Sequence, residues 1–277
     1  MHCIPNSRMH GLNGYKEVIE TVRWGLEKLG HKVSYSVNSA NTKATNIIFG
    51  AHVLPIDFLT KLPSSSVVYN FEQMRGLPLD EMPPSIRLIS EHFQIWEYSK
   101  SNLEMWEQLG VNDVKLVPIG YAPILTRIHK LKNQDQDIDV LIYGLSGDKR
   151  IDAFHRLSHA GIKVIFVSGL YGDARDMLIA RSKIVLNINL YDFGQIFEIV
   201  RVSYLLANKK AVVATVDANT TVEEDMLNAV KFTTIENIVD VCAELLEHDR
   251  SRIELERAGF ENFIKRDITT ILLSALS

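Results

Sequence analysis

Two runs of alternating strand-like and helix-like segments, separated by a polar stretch at residues 126–138, constrain this chain more than any other feature. In the first run, residues 46–50, 66–71 and 114–117 are short and apolar, as strands buried on both faces are. Residues 15–29 carry Tyr15, Val18, Ile19, Val22, Leu26 and Leu29 at the i, i+3, i+4, i+7 spacing of an amphipathic helix. Ser101-Asn102-Leu103-Glu104 reads as a capping box opening another helix. Residues 32–36, 86–89 and 93–96 predict further strands, and residues 54–61 a short helix. After the polar stretch the alternation restarts. Strands are expected at 139–143, 163–167, 184–188, 211–214 and 230–232, with helices at 149–160, 173–182, 195–207, 235–247 and 250–265. Such alternation is the pattern of a parallel sheet. The chain is therefore expected to be α/β, with two Rossmann-like domains at 1–125 and 126–277, the final helix being free to pack back on the first. Open sheets of this kind bind ligands beyond the carboxyl ends of their strands, so a site is expected in a cleft where the two sheets face each other.

Charge and cysteine usage narrow the function classes. Thirty basic against 34 acidic residues give a net charge of −4, which provides no global attraction for nucleic acid or anionic lipid. A local basic cleft is compatible with it. Cys3 and Cys242 stand near opposite ends with no metal-ligand spacing, which argues against a disulfide scaffold. The N-terminus lacks an apolar leader core, and no run reaches the ~18 apolar residues of a membrane span. A cytoplasmic protein with no membrane span is expected.

Three motifs could carry chemistry. Asp135-Gln136-Asp137-Ile138-Asp139 has spacing that can hold a divalent cation. It enters a strand at its amino end, however, where a solvated linker is the better reading. Gly144-Leu145-Ser146-Gly147-Asp148-Lys149-Arg150 is a strand-to-helix loop whose backbone N–H groups and two cations could cradle a phosphate. A plain turn with two surface cations reads equally well. Asn187, Asn189 and Tyr191 alternate at a strand's carboxyl end and share a face. Glu198 and Arg201, at i, i+3, follow them. The carboxylate could accept two sugar hydroxyls, or it could serve the helix terminus and pair with Arg201.

The ordered set resembles GT-B-type glycosyltransferases, specifically the spore-maturation-like "glycosyl transferase family 1" group. The likeness runs through Val117-Pro118-Ile119-Gly120-Tyr121, Asp139 to Gly144 with Arg150, Tyr171-Gly172 with Ala180 to Asn187, and Phe197 to Arg201 with Leu206 to Val213. It covers residues 65–215 and is weaker before them. The resemblance implies a C-terminal domain that binds a nucleotide-sugar donor and an N-terminal domain that binds the acceptor. Gly144, Lys149, Arg150 and Tyr171 would then lie at the donor, with Arg150, Lys149 and Arg201 stabilising the leaving diphosphate. Glu198 matches the second glutamate of a Glu-x7-Glu motif that contacts the ribose. Where the first glutamate would stand, this chain has Leu190, so Asn187, Asn189 and Tyr191 are left for the donor sugar. The resemblance implies no bound metal and no cofactor beyond the nucleotide-sugar co-substrate.

Acceptor contacts are expected from His10, Gly11 and Asn13, from Gln73, and from Tyr98 before the capped helix. His52 and Glu72 each follow a strand's carboxyl end and are candidate general bases. The leading expectation is a metal-independent glycosyltransferase acting on a saccharide, protein, nucleic acid or small molecule. A nucleotide-sugar epimerase and a non-catalytic nucleotide-sugar or glycan-binding module are the alternatives.

Overall fold

The computed structural model describes residues 1–5, 13–190 and 196–277. His10, Gly11 and Tyr191 lie outside the described residues. The chain divides into two units, Met1–Ile124 with Arg266–Ser277, and Leu125–Lys265.

Unit 1 holds strands β1 (His2–Pro5), β2 (Ser34–Tyr35), β3 (Asn46–Phe49), β4 (Val67–Asn70), β5 (Gln94–Glu97) and β6 (Val114–Leu116). They form one parallel sheet in the order β2-β1-β3-β4-β5-β6. Its helices are α1 (Lys16–Lys28), α2 (Ile56–Leu59), α3 (Pro84–His92) and α4 (Leu103–Gln108). Ile4, Ile48, Val68 and Ile95 face Ile86, Ile89, Met105 and Trp106 in one core. A last helix, α10 (Ile268–Leu276), belongs to this unit although it follows the whole of unit 2. Gly25 makes room for it: a Cβ there would lie 2.7 Å from Leu272 Cδ1.

Unit 2 holds β7 (Ile138–Tyr143), β8 (Val164–Val167), β9 (Ser182–Asn187), β10 (Ala211–Thr215) and β11 (Lys231–Thr233). They form a parallel sheet in the order β11-β10-β9-β7-β8. The helices are α5 (Asp148–His159), α6 (Gly172–Arg181), α7 (Ile199–Ala207), α8 (Ile238–Glu247) and α9 (Asp249–Phe263). Val140, Ile142, Ile184, Leu186 and Val213 pack on Ala153, Leu157, Ile238 and Cys242.

Three local readings are corrected. Residues 86–89 are helical, not a strand. Pro84 sits at the first helical position, where its missing N–H costs nothing, and Ile86 and Ile89 are buried at helical spacing. The helix there starts at Leu103 with Asn102, not Ser101, at its N-cap position, and Ser99 caps a 3₁₀ turn at Lys100–Asn102, accepting from Ser101 N. The helix expected from 195 starts at Ile199, because Ile196 bridges to Thr221 and Phe197 N donates to Thr221 O at 2.9 Å.

The entry into unit 2 hangs on Asn208, which is buried. Its Nδ2 donates to Leu125 O and Tyr204 O at 2.9 and 2.8 Å, and its Oδ1 accepts from Arg127 N and Ile128 N at 2.9 and 2.8 Å. Asn208→Ala removes all four bonds. It is expected to destabilise the protein by about 2–3 kcal/mol, read as a lower urea midpoint; an unchanged midpoint would refute the anchor.

Candidate functional site

In unit 2 the chain runs from β7 to β8 on one side, then crosses to β9 on the other. Loops leaving the carboxyl ends of β7 and β9 therefore diverge and open a crevice. Gly144 leaves β7 with φ of +128°. A Cβ there would lie 2.9 Å from Arg201 Nη1 and 3.0 Å from Arg150 Nη1. The missing side chain thus lets two guanidinium groups close on the strand end.

Arg150, in the first turn of α5, is 1% exposed. Its Nε and Nη2 donate to Ile188 O at 2.9 and 2.7 Å, and Nη1 donates to Leu145 O at 2.8 Å. It ties the loop after β7 to the loop after β9. Its Nη2 also lies 3.4 Å from Glu198 Oε1. The expectation that Arg150 offers itself to a diphosphate is corrected: its guanidinium is turned inward onto carbonyls. Arg201 is the more open cation, its side chain 25% exposed. It donates to Tyr143 O at 3.0 Å, lies 3.5 Å from Glu198 Oε2 and stands 5.5 Å from the Tyr143 ring centre. Glu198, immediately before α7, is therefore fixed between two cations, with positive charge in excess. Tyr171 stands immediately before α6. Burial raises its hydroxyl pKa, and the charges of Arg201 and Arg175 pull it back.

Asn187 ends β9 and is 1% exposed, yet neither end of its amide finds a hydrogen bond among the described residues. Such a group costs about 1–3 kcal/mol unless a ligand or water completes it. Farther along the strand ends, a cavity of about 270 Å³ is lined by Lys149, Asn189, Thr215, Asp217, Thr234 and Glu236. Leu190 packs against the loop after β7: a Cβ on Gly147 would lie 2.6 Å from its Cδ1.

In unit 1 the corresponding reversal falls between β1 and β3. Gly50, with φ of +67°, turns the chain out of β3 into the loop bearing His52. His52 Nε2 lies 3.3 Å from Glu72 Oε1, in the loop after β4. Tyr15, just before α1, donates its hydroxyl to the same oxygen at 2.7 Å. Burial, and then the Glu72 carboxylate, holds the Tyr15 pKa well above its usual value, so it stays a donor. Gln73 adjoins this group and Asn13 precedes Tyr15, both partly exposed. Tyr98 is corrected: it is 2% exposed and packs 6.4 Å from the Phe71 ring, inside the aromatic core.

Below the Glu72 loop lies Glu97, fully buried at the end of β5. Burial pushes its pKa up to about 7, against four N–H donors that pull it down. Sequence reasoning missed Glu97 and Tyr15. An acid directly after the strand expected at 93–96 is the signal for the first; Tyr15 reads as one more apolar-face residue of its helix.

Two of the three carboxylates around the start of β7 are paired with cations. Asp137 accepts from Arg181 at 2.8 and 2.6 Å and Asp139 from Lys183 at 2.7 Å. Among the described residues no group of three His, Cys, Asp or Glu could hold a metal ion. No described helix is long and apolar enough to cross a membrane.

Solved structures with this architecture align over nearly the whole chain. An Anabaena protein, Alr3699/HepE, crystallised with UDP and glucose, superposes with a TM-score of 0.62 at 12% identity, covering 100% of this chain and 98% of that one. The α-glucosyltransferase AGT in complex with UDP gives 0.63 at 11% identity, covering 99% and 98%. The fold is GT-B. AviGT4, a glycosyltransferase of avilamycin A biosynthesis, shares this GT-B fold with a TM-score of 0.62 at 15% identity, covering 99% and 95%. No protein-family model matches the sequence. An uncharacterized protein of Acanthamoeba polyphaga mimivirus is 26% identical over 194 residues, 66% of this chain. The match spans 60% of that relative's length.

Proposed function

We propose that this GT-B chain is a metal-independent glycosyltransferase that uses a nucleotide-sugar donor. The observation that carries the reading is the Gly144–Arg150–Glu198–Arg201 group at the β7/β9 reversal of unit 2. Cleavage of a donor's glycosidic bond throws negative charge onto the leaving diphosphate. Arg201 and Lys149 would meet that charge, with the N–H groups of the loop after β7. Arg150 would act from inside, holding Glu198 where its carboxylate can accept ribose hydroxyls. The unsatisfied Asn187 amide and Asn189 would serve the rest of the donor.

In unit 1, His52 would take the proton of the acceptor hydroxyl, while Glu72 and Tyr15 fix the imidazole. UDP is the first nucleotide to try, because HepE and AGT were crystallised with it. Titration calorimetry with UDP, GDP and ADP tests the reading. One nucleotide class should bind, and Arg201→Ala should weaken it about 10- to 100-fold through loss of a charge-assisted contact. Failure of every nucleotide to bind would overturn the proposal. Leu190, in place of the first motif glutamate and packed on the Gly147 turn, favours one second reading, a module that binds the donor without transferring it. Release of UDP from a UDP-sugar separates the two.

A further inference from the structure

We infer that Glu97 is a positioning residue that sets the Glu72 side chain through a double asparagine clamp; this rests on the reading that Glu72 and His52 activate the acceptor. Each oxygen of the Glu97 carboxylate accepts two N–H groups. Oε1 takes Ser99 N at 2.9 Å and Asn102 Nδ2 at 3.0 Å, and Oε2 takes Asn70 Nδ2 at 2.8 Å and Trp106 Nε1 at 2.7 Å. All four neighbours are uncharged donors.

The two asparagines carry this polarity into the loop above. Asn70 and Asn102 each donate a second time to Glu72 O, at 3.2 and 2.7 Å. Their Oδ1 atoms accept from Glu72 N at 3.2 Å and Met74 N at 2.9 Å. A side-chain amide has one donor end and one acceptor end. An anionic acceptor beneath both asparagines therefore forces both NH₂ groups down and both oxygens toward the loop. The peptide of residue 72 is gripped at its N–H and its C=O, and its carboxylate is aimed at His52 and Tyr15.

The ionised form alone sustains this polarity. A protonated Glu97 would present an O–H to four donors and lose at least one of them. Burial raises the group to about 7, so the folded chain binds this proton more tightly than the unfolded chain does. Its contribution to stability accordingly declines as pH rises from about 4.5 to about 7.

Glu97→Gln keeps the size but places an NH₂ before N–H donors, so at least one asparagine must flip or let go. Amide hydrogen exchange in the intact protein reads the clamp without any assay of activity. Protection of the Glu72 and Met74 amides should fall at least tenfold in Glu97→Gln while β4 and β5 stay protected. In the unaltered chain the same two amides should lose protection, after correction for intrinsic rates, as pH drops through about 7. With a working donor and acceptor, kcat should fall about tenfold and the donor KM should stay within twofold.

Unchanged protection of both amides in the variant and across pH overturns the inference. So does a fall in kcat without loss of protection. Loss of protection in a chain that turns over no nucleotide-sugar would uphold the clamp and sink the catalytic reading. Should Glu97→Gln fail to fold, the pH series on the unaltered protein decides by itself.

Discussion

Gly144→Ala is expected to dismantle the unit 2 site and lower stability by about 2–4 kcal/mol. A residue with a Cβ is strained at the φ of +128° that this position adopts, at roughly 1–3 kcal/mol. The new methyl would also sit 2.9 Å from Arg201 Nη1 and 3.0 Å from Arg150 Nη1. Both guanidinium groups must retreat, and both pair with Glu198. Urea unfolding reads the stability and calorimetry the nucleotide, whose affinity should drop about 100-fold, or ~2.7 kcal/mol. A variant with the parent's midpoint and affinity would show that the strand end is not the pivot of the site.

Arg150→Ala has a different signature. Removing the side chain strands the Ile188 and Leu145 carbonyls and leaves Glu198 with one cation instead of two. Deleting one partner of a buried charged network costs about 3–5 kcal/mol, so this variant should unfold readily. Arg150→Lys should recover little, because an ammonium cannot span three bonds in a planar fork. Arg201→Ala, at a more open position, should cost under about 1 kcal/mol of stability while weakening nucleotide binding. The pair of variants separates the cation that builds the site from the one that meets a ligand. Equal loss of stability in both would contradict that division.

Much of this was legible beforehand, and the gaps have physical causes. Gly144 and Asn187 could be assigned to strand ends because an apolar run followed by glycine or polar residues marks where a strand leaves the core. Glu198 and Arg201 could be paired from their spacing. The inward turn of Arg150 could not be read, since it depends on the Ile188 carbonyl 38 residues away. Tyr98 read as a cleft residue for the same reason: position in the chain does not say which side of the sheet a neighbouring aromatic will cover.

The sequence by itself determined the α/β class, the parallel sheets and most element positions, because helical and strand periodicity are local properties of a chain. Tertiary structure alone decided which four-residue apolar run became helix α3, that α10 returns to unit 1, and which charges are buried. It also decided the meeting of Tyr15, His52 and Glu72, up to 57 residues apart. Those outcomes depend on strand order and on what packs over each strand end. Both are set when separate segments compete for the same apolar surface, a comparison that no single stretch of sequence contains.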